Sequence, residues 1–558
     1  MSPLLTCVAN SLWLLACQPE AHAFRQAQRD VAGTQHRLLL RLLHHNADTV
    51  VGRRYRFAHI RSIADYQARV PLSTYADYEE AVAQIGRGEP SVLTRDPVLL
   101  LEPTSGSTAA TKYIPYTAML RAEFERALAV WIADLFTHDP RLMAGAAYWS
   151  VSPVAYDNRY TVGGIPIGFE DDRAYLGRMQ QWLAQVILAV PSAVRLIQDM
   201  DTLRYVTLLA LLRRRDLALI SVWNPTFLTL LVRNLSAWGL RLAIDIAEGT
   251  LTPPTPLAPQ VKASCARSHY PDAQRAGEVY AALCNSNNPA LLHTHLWPHL
   301  RLISCWADAQ AALCLPPLAQ SFPQAQIQGK GLIATEGFVS IPLVGQSGAA
   351  LAVRSHFFEF LPTDGGTARL AHELETGGRY AVVVTTAGGL YRYQLHDLVE
   401  VSGWQYTCPL LRFVGRANGC VDWFGEKLHE QHVRAALAGL LTRYAITPDF
   451  AMLTCAEDGN HHAYTLLIEA DGVPDHMLGQ LARDLDAALA TNYHYRYCRD
   501  LGQLAALRVC RVVDGHERYL AATIARGQRA GDIKPPLLPQ STGWCQLLAA
   551  QPPISHNA

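Results

Sequence analysis

Twelve cysteines occur in this 558-residue chain, and no two of them form a C-x-x-C pair. Scattered single thiols supply neither a zinc-finger ligand set nor the even framework of a small disulfide-stapled protein. They read as buried thiols in a reducing compartment, here the cytoplasm. Charge of one sign is not in excess: 48 Lys and Arg offset 48 Asp and Glu. A nucleic-acid partner wants a basic stripe, and none is expected without one. No apolar run approaches membrane-spanning length, so no membrane span is expected. Leu4-Leu5 and Leu12-Trp13-Leu14-Leu15-Ala16 have no basic stretch before them, which predicts an amphipathic first helix rather than a signal peptide. Internal repeats and low-complexity tracts are missing too. Apolar material is plentiful, at 50% of residues, enough for a large core, and the length implies two or more domains. A monomer is expected.

The most informative stretch is Thr104-Ser105-Gly106-Ser107-Thr108-Ala109-Ala110-Thr111-Lys112. Val98 to Leu101 before it and Tyr113 to Tyr116 after it read as strands, and Thr117 opens a long amphipathic segment. Gly106 lets the backbone approach a ligand closely. Four hydroxyls, a run of N–H groups able to form an anion nest, and the charge of Lys112 suit a polyphosphate. A Walker A motif is excluded, because Thr111 stands where its second glycine belongs and Tyr113 where its hydroxyl belongs. An ordinary polar hairpin loop has the same composition.

Further along, Tyr380–Thr386 and Leu390–Val401 read as two strands around the turn Ala387-Gly388-Gly389, and Leu410–Val414 as another. From there the pattern is compact α+β: a helix over His432–Tyr444, strands over Phe450–Cys455 and Ala463–Ile468, a helix over Asp475–Tyr493 and a strand over Leu507–Val513. The expected division is a large N-terminal domain, 1–416, and a small C-terminal domain, 417–558.

Four other segments carry chemistry-bearing residues. Ala334-Thr335-Glu336-Gly337 follows Gly329-Lys330-Gly331, and its carboxylate beside a hydroxyl can hold Mg²⁺ through oxygen; a plain loop-end glutamate looks the same. Tyr391 to Asp397 ends in a carboxylate able to accept both hydroxyls of a ribose, or else is a strand with alternating polar residues. Gly415-Arg416-Ala417-Asn418, followed by Gly425-Glu426-Lys427, brings two cations to the domain boundary. Gly527 to Pro536 is a glycine-rich, proline-stopped loop with the single lysine Lys534; a solvated tail has that composition too. His293, His295 and His299 cluster around Leu296-Trp297-Pro298, but no Cys or carboxylate stands at suitable spacing, so a metal site is not expected there.

Taken in order, these segments resemble the adenylate-forming superfamily of acyl-CoA synthetases, luciferase and peptide-synthetase adenylation domains. Residues 104 to 112 look like its phosphate loop, Thr335-Glu336 like its Thr-Glu motif and Tyr391 to Asp397 like its ribose motif with a longer spacer. Gly415-Arg416 looks like its hinge and Lys534 like its catalytic lysine. Closer still is the branch of the Gretchen Hagen auxin-responsive acyl acid–amido synthetases of plants and their bacterial relatives. Asn46 to Thr49 with Gly52 to Tyr55, Val70 to Tyr78, Gly88-Glu89-Pro90 and Ser221-Val222-Trp223 are similar to it. Ala109, Asn418 and the Gly531-Asp532-Ile533 before Lys534 depart from the usual patterns.

The resemblance implies the luciferase-like α/β fold, a large domain followed by a small mobile one. It implies an ATP- and Mg²⁺-dependent ligase that makes an acyl-AMP from a carboxylic acid and passes the acyl group to an amine, an amino acid. Thr104, Ser105, Gly106, Ser107, Thr108 and Lys112 would hold the phosphates, Ala334, Thr335 and Glu336 the nucleotide with Mg²⁺ on Glu336, Asp397 the ribose, and Arg416 the hinge side. Lys534 would be catalytic, with Lys427 the second candidate. Val162, Gly163, Gly164 and Trp223 would line the acyl site. An acyl-CoA ligase shares the first step with a thiol acceptor. A non-catalytic nucleotide- or acyl-acid-binding protein is the third reading, and draws on Ala109 and Asn418.

Overall fold

The hydroxyl of Thr117 accepts the Leu120 N–H at 3.1 Å. This cap turns a strand into the 21-residue helix Ala118–His138, which buries Leu120, Glu123, Phe124, Ala127, Val130 and Trp131 along one flank. The computed structural model describes residues 3–104, 112–150, 160–168, 178–266, 270–286, 288–417, 419–458, 461–525 and 535–548. These residues divide into two compact units, one of 3–104 with 112–415 and one from Arg416 on.

The large unit holds two main sheets. Strands β1 (Val98–Thr104) and β2 (Lys112–Thr117) form an antiparallel hairpin in which Thr104 faces Lys112. Strands β3 (Ala146–Trp149), β4 (Leu217–Ser221), β5 (Leu302–Cys305) and β6 (Gln326–Gly329) make a four-stranded parallel sheet in that order. Long helical crossovers join them, as parallel strands require. The two inner strands, β4 and β5, are buried on both faces, and Leu203, Leu208, Leu228, Leu231, Leu242, Ile246 and Val279 of the crossover helices belong to the core packed on the sheet. A small hairpin, β7 (Ile333–Ala334) with β8 (Gly337–Phe338), follows. Seven strands then form the second sheet: β9 (Ser340–Pro342), β10 (Ala349–Leu351), β11 (Phe357–Pro362), β12 (Arg369–Leu370), β13 (Arg379–Thr385), β14 (Tyr393–Gln405) and β15 (Cys408–Arg416). Their spatial order is β12-β11-β13-β14-β15-β10-β9. This sheet shares a core with helix Ala118–His138 and the first helix, Pro3–Ala27.

The first helix differs from expectation in one respect. It buries Ala9, Trp13, Cys17, Ala21 and Phe24 on its inner face, but its outer face is apolar as well, with Leu4, Leu5, Val8, Leu12 and Leu15 exposed. Among the described residues no single helix is long and apolar enough to cross a membrane. Helices Pro225–Arg233 and Leu235–Glu248 pass that test only as a pair bent by 68°, and both contribute to the core of the parallel sheet. Eight of the eleven described cysteines are buried, and burial pushes the thiols of Cys17, Cys408 and Cys420 up to about 12.

In the second unit, β16 (Cys420–Val421) pairs with β17 (Leu428–His429) ahead of helix Glu430–Arg443. Strand β18 (Phe450–Asp458) pairs antiparallel with β19 (His461–Glu469), and β20 (Leu504–Arg511) runs parallel to β19. The helix expected over 475–493 is two helices, Asp475–Leu489 and Tyr493–Asp500. Asn492 makes the break: its side chain accepts the N–H groups of His494 and Tyr495 and starts the second helix afresh.

Strand β14 starts at Tyr393 rather than Leu390, because Arg392 takes a left-handed turn at φ 50°. A buried ion pair holds it there. Arg392 Nε and Nη2 donate to the two Glu359 oxygens, each at 3.0 Å, and Nη1 donates to the carbonyls of Gln67 and Val70. The residues are 7% and 1% exposed. Removing one partner strands the other charge in the core, which costs about 3–5 kcal/mol. Glu359→Ala is expected to lower the unfolding free energy of the large unit by about that much, measured by urea titration with tryptophan fluorescence. A loss under about 1 kcal/mol would show that Arg392 finds another partner.

Candidate active site

Segments far apart in the chain converge on the large unit's first hairpin. Residues 105–111, and with them Ser105, Gly106, Ser107 and Thr108, lie outside the described residues, but both ends of the loop are placed. Thr104 closes β1 and Lys112 opens β2 opposite it. The Lys112 ammonium lies 5.6 Å from the ring centroid of Tyr75, and the Tyr75 hydroxyl accepts the Tyr113 N–H at 2.7 Å. Upstream, Asn46 Oδ1 accepts from the Arg95 backbone and the Thr94 hydroxyl. A Cβ on Gly52 would fall 2.0 Å from the Asn46 carbonyl, so the Asn46-to-Tyr55 segment packs as a close-fitting brace for the approach to β1.

The same Val70-to-Tyr78 segment grips the second motif. Ser73 Oγ and Tyr78 Oη both donate to the Tyr391 carbonyl, at 2.8 and 3.0 Å, while the Tyr391 N–H donates back to Tyr78 Oη at 2.7 Å. The Ser73 N–H meets the Arg392 carbonyl, and Gln394 N–H meets the Ser73 carbonyl. Beyond it the β13–β14 register jumps from Val383↔Gln394 to Ala381↔Leu398, so Leu395, His396 and Asp397 oppose the single residue Val382. His396 sits at φ 62°. This bulge accounts for the longer spacer before Asp397, which is 5% exposed, and bulges of this kind re-aim side chains beside active sites.

Thr335 and Glu336 form the tip of the β7–β8 hairpin. Tyr116 Oη, from β2, donates to the Thr335 carbonyl at 2.5 Å. On the hairpin's far strand, the Phe338 N–H donates to His356 Nε2 at 2.9 Å, which leaves Nδ1 to donate to Glu123 Oε2 at 2.9 Å. The same oxygen accepts the Ala387 N–H at 3.0 Å. A carboxylate on helix Ala118–His138 therefore ties the Thr-Glu hairpin to the turn that precedes Tyr391. His356 is fully buried and Glu123 nearly so. Neither was singled out in the sequence: they lie 233 residues apart, and no local pattern links them.

At the carboxyl edge of the parallel sheet, Trp223 lies 5.9 Å from Trp306, centroid to centroid. Val162, expected at the acyl site, is fully exposed. The glycine at 163 is explained by backbone: a Cβ there would come within 2.5 Å of Arg87 and Gly88. Gly164 has φ 80° and open space around it. Of the histidines at 293–299, His293 is buried and structural, while His295 and His299 are exposed. His293 stacks on Phe322 at 4.6 Å and bonds the Ser321 carbonyl, and among the described residues no group of three or more His, Cys, Asp or Glu gathers for a metal ion.

In the second unit the carbonyl of Arg416 accepts from Gln540 at 2.8 Å. Lys427 has φ 42° and its carbonyl accepts from Asn492. Its neighbour Glu426 is completely buried and takes three donors, the N–H groups of Trp423 and Phe424 and the hydroxyl of Tyr464. Burial and the nearby Asp422 raise its carboxyl to about 7, against the pull of those donors. Burial, reinforced by Lys427, lowers His494 to about 3. His462 packs on Phe424 at 4.7 Å. Lys534 and Asn418 lie outside the described residues.

The large unit with its parallel and antiparallel sheets and the small α+β second unit have the fold of a solved acyl acid amido synthetase. The GH3 family N-terminal domain matches residues 20–327, its central domain 349–416 and its C-terminal domain 428–542; this chain belongs to the GH3 family. It is 23% identical to the probable indole-3-acetic acid-amido synthetase GH3.1 of Arabidopsis thaliana, over 97% of this chain and 95% of that one. It is 24% identical to the indole-3-acetic acid-amido synthetase GH3.8 of Oryza sativa subsp. indica, over 94% and 91%. In structure it is similar to the GH3.15 acyl acid amido synthetase, with a TM-score of 0.64, 19% identity and coverage of 95% and 96%.

Two outcomes follow from the buried carboxyls. Glu426 keeps its proton to about 7 when folded and loses it at an ordinary 4.5 when unfolded. Below 4.5 both states are protonated. As pH rises from there to about 7 only the unfolded chain ionises, so stability falls, by a total on the order of 3 kcal/mol. Glu426→Gln is expected to flatten that decline in urea midpoints measured from pH 4.5 to 8; an unchanged slope assigns it to other groups. His356→Leu is expected to lower the melting temperature by several degrees in scanning calorimetry, because it leaves the Phe338 N–H and Glu123 without their partner, and His356→Gln, which can still donate and accept, to recover part of it. Equal damage from both variants would reduce the pair to a packing role.

Proposed function

We propose that this protein is an ATP-dependent ligase that activates a carboxylic acid as its acyl adenylate and passes the acyl group to the amine of an amino acid. What supports the reading is the family membership across 20–542, together with one geometric observation. The Val70-to-Tyr78 segment holds both the strand leaving the hydroxyl-rich loop, through Tyr75, and the turn leading to Asp397, through Ser73 and Tyr78.

In this reading the loop Thr104 to Thr108 and Lys112 take the phosphates, Ala334 and Thr335 border the nucleotide, and buried Asp397 accepts the ribose hydroxyls. Mg²⁺ suits the donors present: it keeps several waters and takes one or two carboxylates plus substrate phosphates, and Glu336 at a hairpin tip is one such ligand. Bound there, it would neutralise phosphate charge. Trp223 borders the acyl group. Arg416 and Lys427 belong to the boundary and the small C-terminal domain, and Lys534 supplies the charge that bridges carboxylate and α-phosphate. The carboxylate oxygen attacks the α-phosphorus, pyrophosphate leaves, and the acceptor amine then displaces AMP from the acyl carbonyl. The enzyme works as a cytoplasmic monomer.

Purified protein with ATP, Mg²⁺ and a panel of acids is expected to release pyrophosphate only when a suitable acid is present, and to form amide when an amino acid is added. Lys534→Ala is expected to slow pyrophosphate release by about a hundred- to a thousandfold. Thioester with CoA and no amide would overturn the acceptor; no acid-dependent pyrophosphate with any acid would overturn the activity.

A further inference from the structure

The chain contains five lysines, at 112, 262, 330, 427 and 534, so 43 of its 48 basic residues are arginine. A chain that meets nearly every need for positive charge with a guanidinium keeps lysine where a compact point charge does what a planar fork cannot. Lys112, Lys427 and Lys534 already have places in the reading above. Lys262 is exposed on the short helix Pro259–Ala266. Lys330 has no assigned role.

Lys330 directly follows β6 at the carboxyl edge of the parallel sheet. Its Nζ donates to Ser221 Oγ at 2.5 Å, at the end of β4, and lies 5.1 Å from the ring centroid of Trp223. Trp306 packs against Trp223 beside it, the two rings tilted by 56°. Backbone bonds continue past the strand ends: Val222 N–H to the Ser304 carbonyl, Trp306 N–H to the Trp223 carbonyl at 2.7 Å, and Lys330 N–H to the Cys305 carbonyl. The ammonium and both indoles are thus fixed on paired backbone. The chain also has little room to shift around Lys330. Gly331 is left-handed at φ 72°, and a Cβ there would come within 2.5 Å of the Ser340 carbonyl.

Ligands of open α/β sheets bind outside the carboxyl ends of the strands. Lys330, Trp223 and Trp306 are all half-buried there, and a partly desolvated charge acts more strongly than one in water. The activation step needs such a charge, because a carboxylate must approach an anionic phosphate. Lys330 is also five residues from Thr335, on the stretch that leads into the Thr-Glu hairpin.

We propose that Lys330 is a catalytic residue that binds the carboxylate of the acid substrate, holding it between Ser221 and the Trp223–Trp306 pair for attack on the α-phosphorus. This rests on the reading of the protein as an acid-activating ligase. The ammonium donates hydrogen bonds to the carboxylate and keeps its protons throughout; the bond to phosphorus forms from the carboxylate as pyrophosphate departs.

The test uses the full chain with Lys330→Met and Lys330→Arg, and Lys262→Met as the control that keeps activity. Charged hydrogen bonds of this kind correspond to about ten- to a hundredfold in binding. In acid-dependent pyrophosphate release without amine, Lys330→Met is expected to raise KM for the acid by that factor while KM for ATP stays within about twofold. Calorimetric titration of the acid alone is expected to weaken by a similar factor, and Lys330→Arg, which keeps the charge, to fall between. An unchanged acid KM and acid affinity, an equal rise for ATP, or a rise confined to the amino acid in amide formation would each overturn the assignment. Acid binding that depends on Lys330 without any pyrophosphate release from wild type would instead refute the ligase reading and leave the carboxylate site standing.

Discussion

A guanidinium taken out of water is stable only if its donors are met, and Arg392 meets four of them with two carboxylate oxygens and two backbone carbonyls. That requirement organises much of the large unit. Glu359 belongs to β11, one strand in from the edge of the antiparallel sheet, Gln67 and Val70 to the N-terminal region, and Arg392 to the turn between β13 and β14. Bringing the three together puts Ser73 and Tyr78 against Tyr391, and Tyr75 against Tyr113. The hydroxyl-rich loop and the bulged strand that carries Asp397 are then anchored to one segment. A pair this deeply buried is rarely the most stable choice for its site, since apolar residues of equal size often do as well. Here it imposes direction as well: the fork accepts one geometry, and the left-handed turn at residue 392 is part of it.

How much of this was legible depended on range. The β1–β2 hairpin, the helix after Thr117, and the strands and helices of the second unit show in local pattern, because each is set by neighbours a few residues away. The break at Asn492 was missed because an internal N-cap looks like any polar residue inside a helical run. The late start of β14 was missed because a positive φ at arginine leaves no mark in composition. For the site, the residue types of the loop, the Thr-Glu hairpin and Asp397 could be picked out in sequence, but the way they are braced could not. Glu123 and His356 join across 233 residues, Ser73 and Tyr391 across 318, and nothing in either neighbourhood announces the other. Gly163 shows the converse limit: the glycine was recognisable, but the close neighbour that explains it is the backbone of Arg87 and Gly88.

The two units manage buried charge differently. In the large unit, Arg392 with Glu359 and Glu123 with His356 are complementary pairs whose geometry joins distant elements. In the second unit, Glu426 and Asp422 are like charges, and burial works with their repulsion. Three donors soften the cost without removing it. The acidic residue next to Lys427 is thus held in a place that favours its neutral form up to about pH 7, and the left-handed Lys427 has its carbonyl held by Asn492.

Several polar contacts of the N-terminal region reach residues that come much later in the chain. Glu20 pairs with Arg354, Gln28 with Gln405, and Gln35 with the carbonyls of Val353 and His356, across separations of 334, 377, 318 and 321 residues. During synthesis, at about 5–20 residues per second, those helices leave the ribosome some tens of seconds before their partners exist. The first of them meanwhile carries apolar residues on two faces. Closing loops of this length is slow, so the nascent large unit depends on chaperone cover, or on its own local helicity, until the strands around residue 400 arrive to complete it.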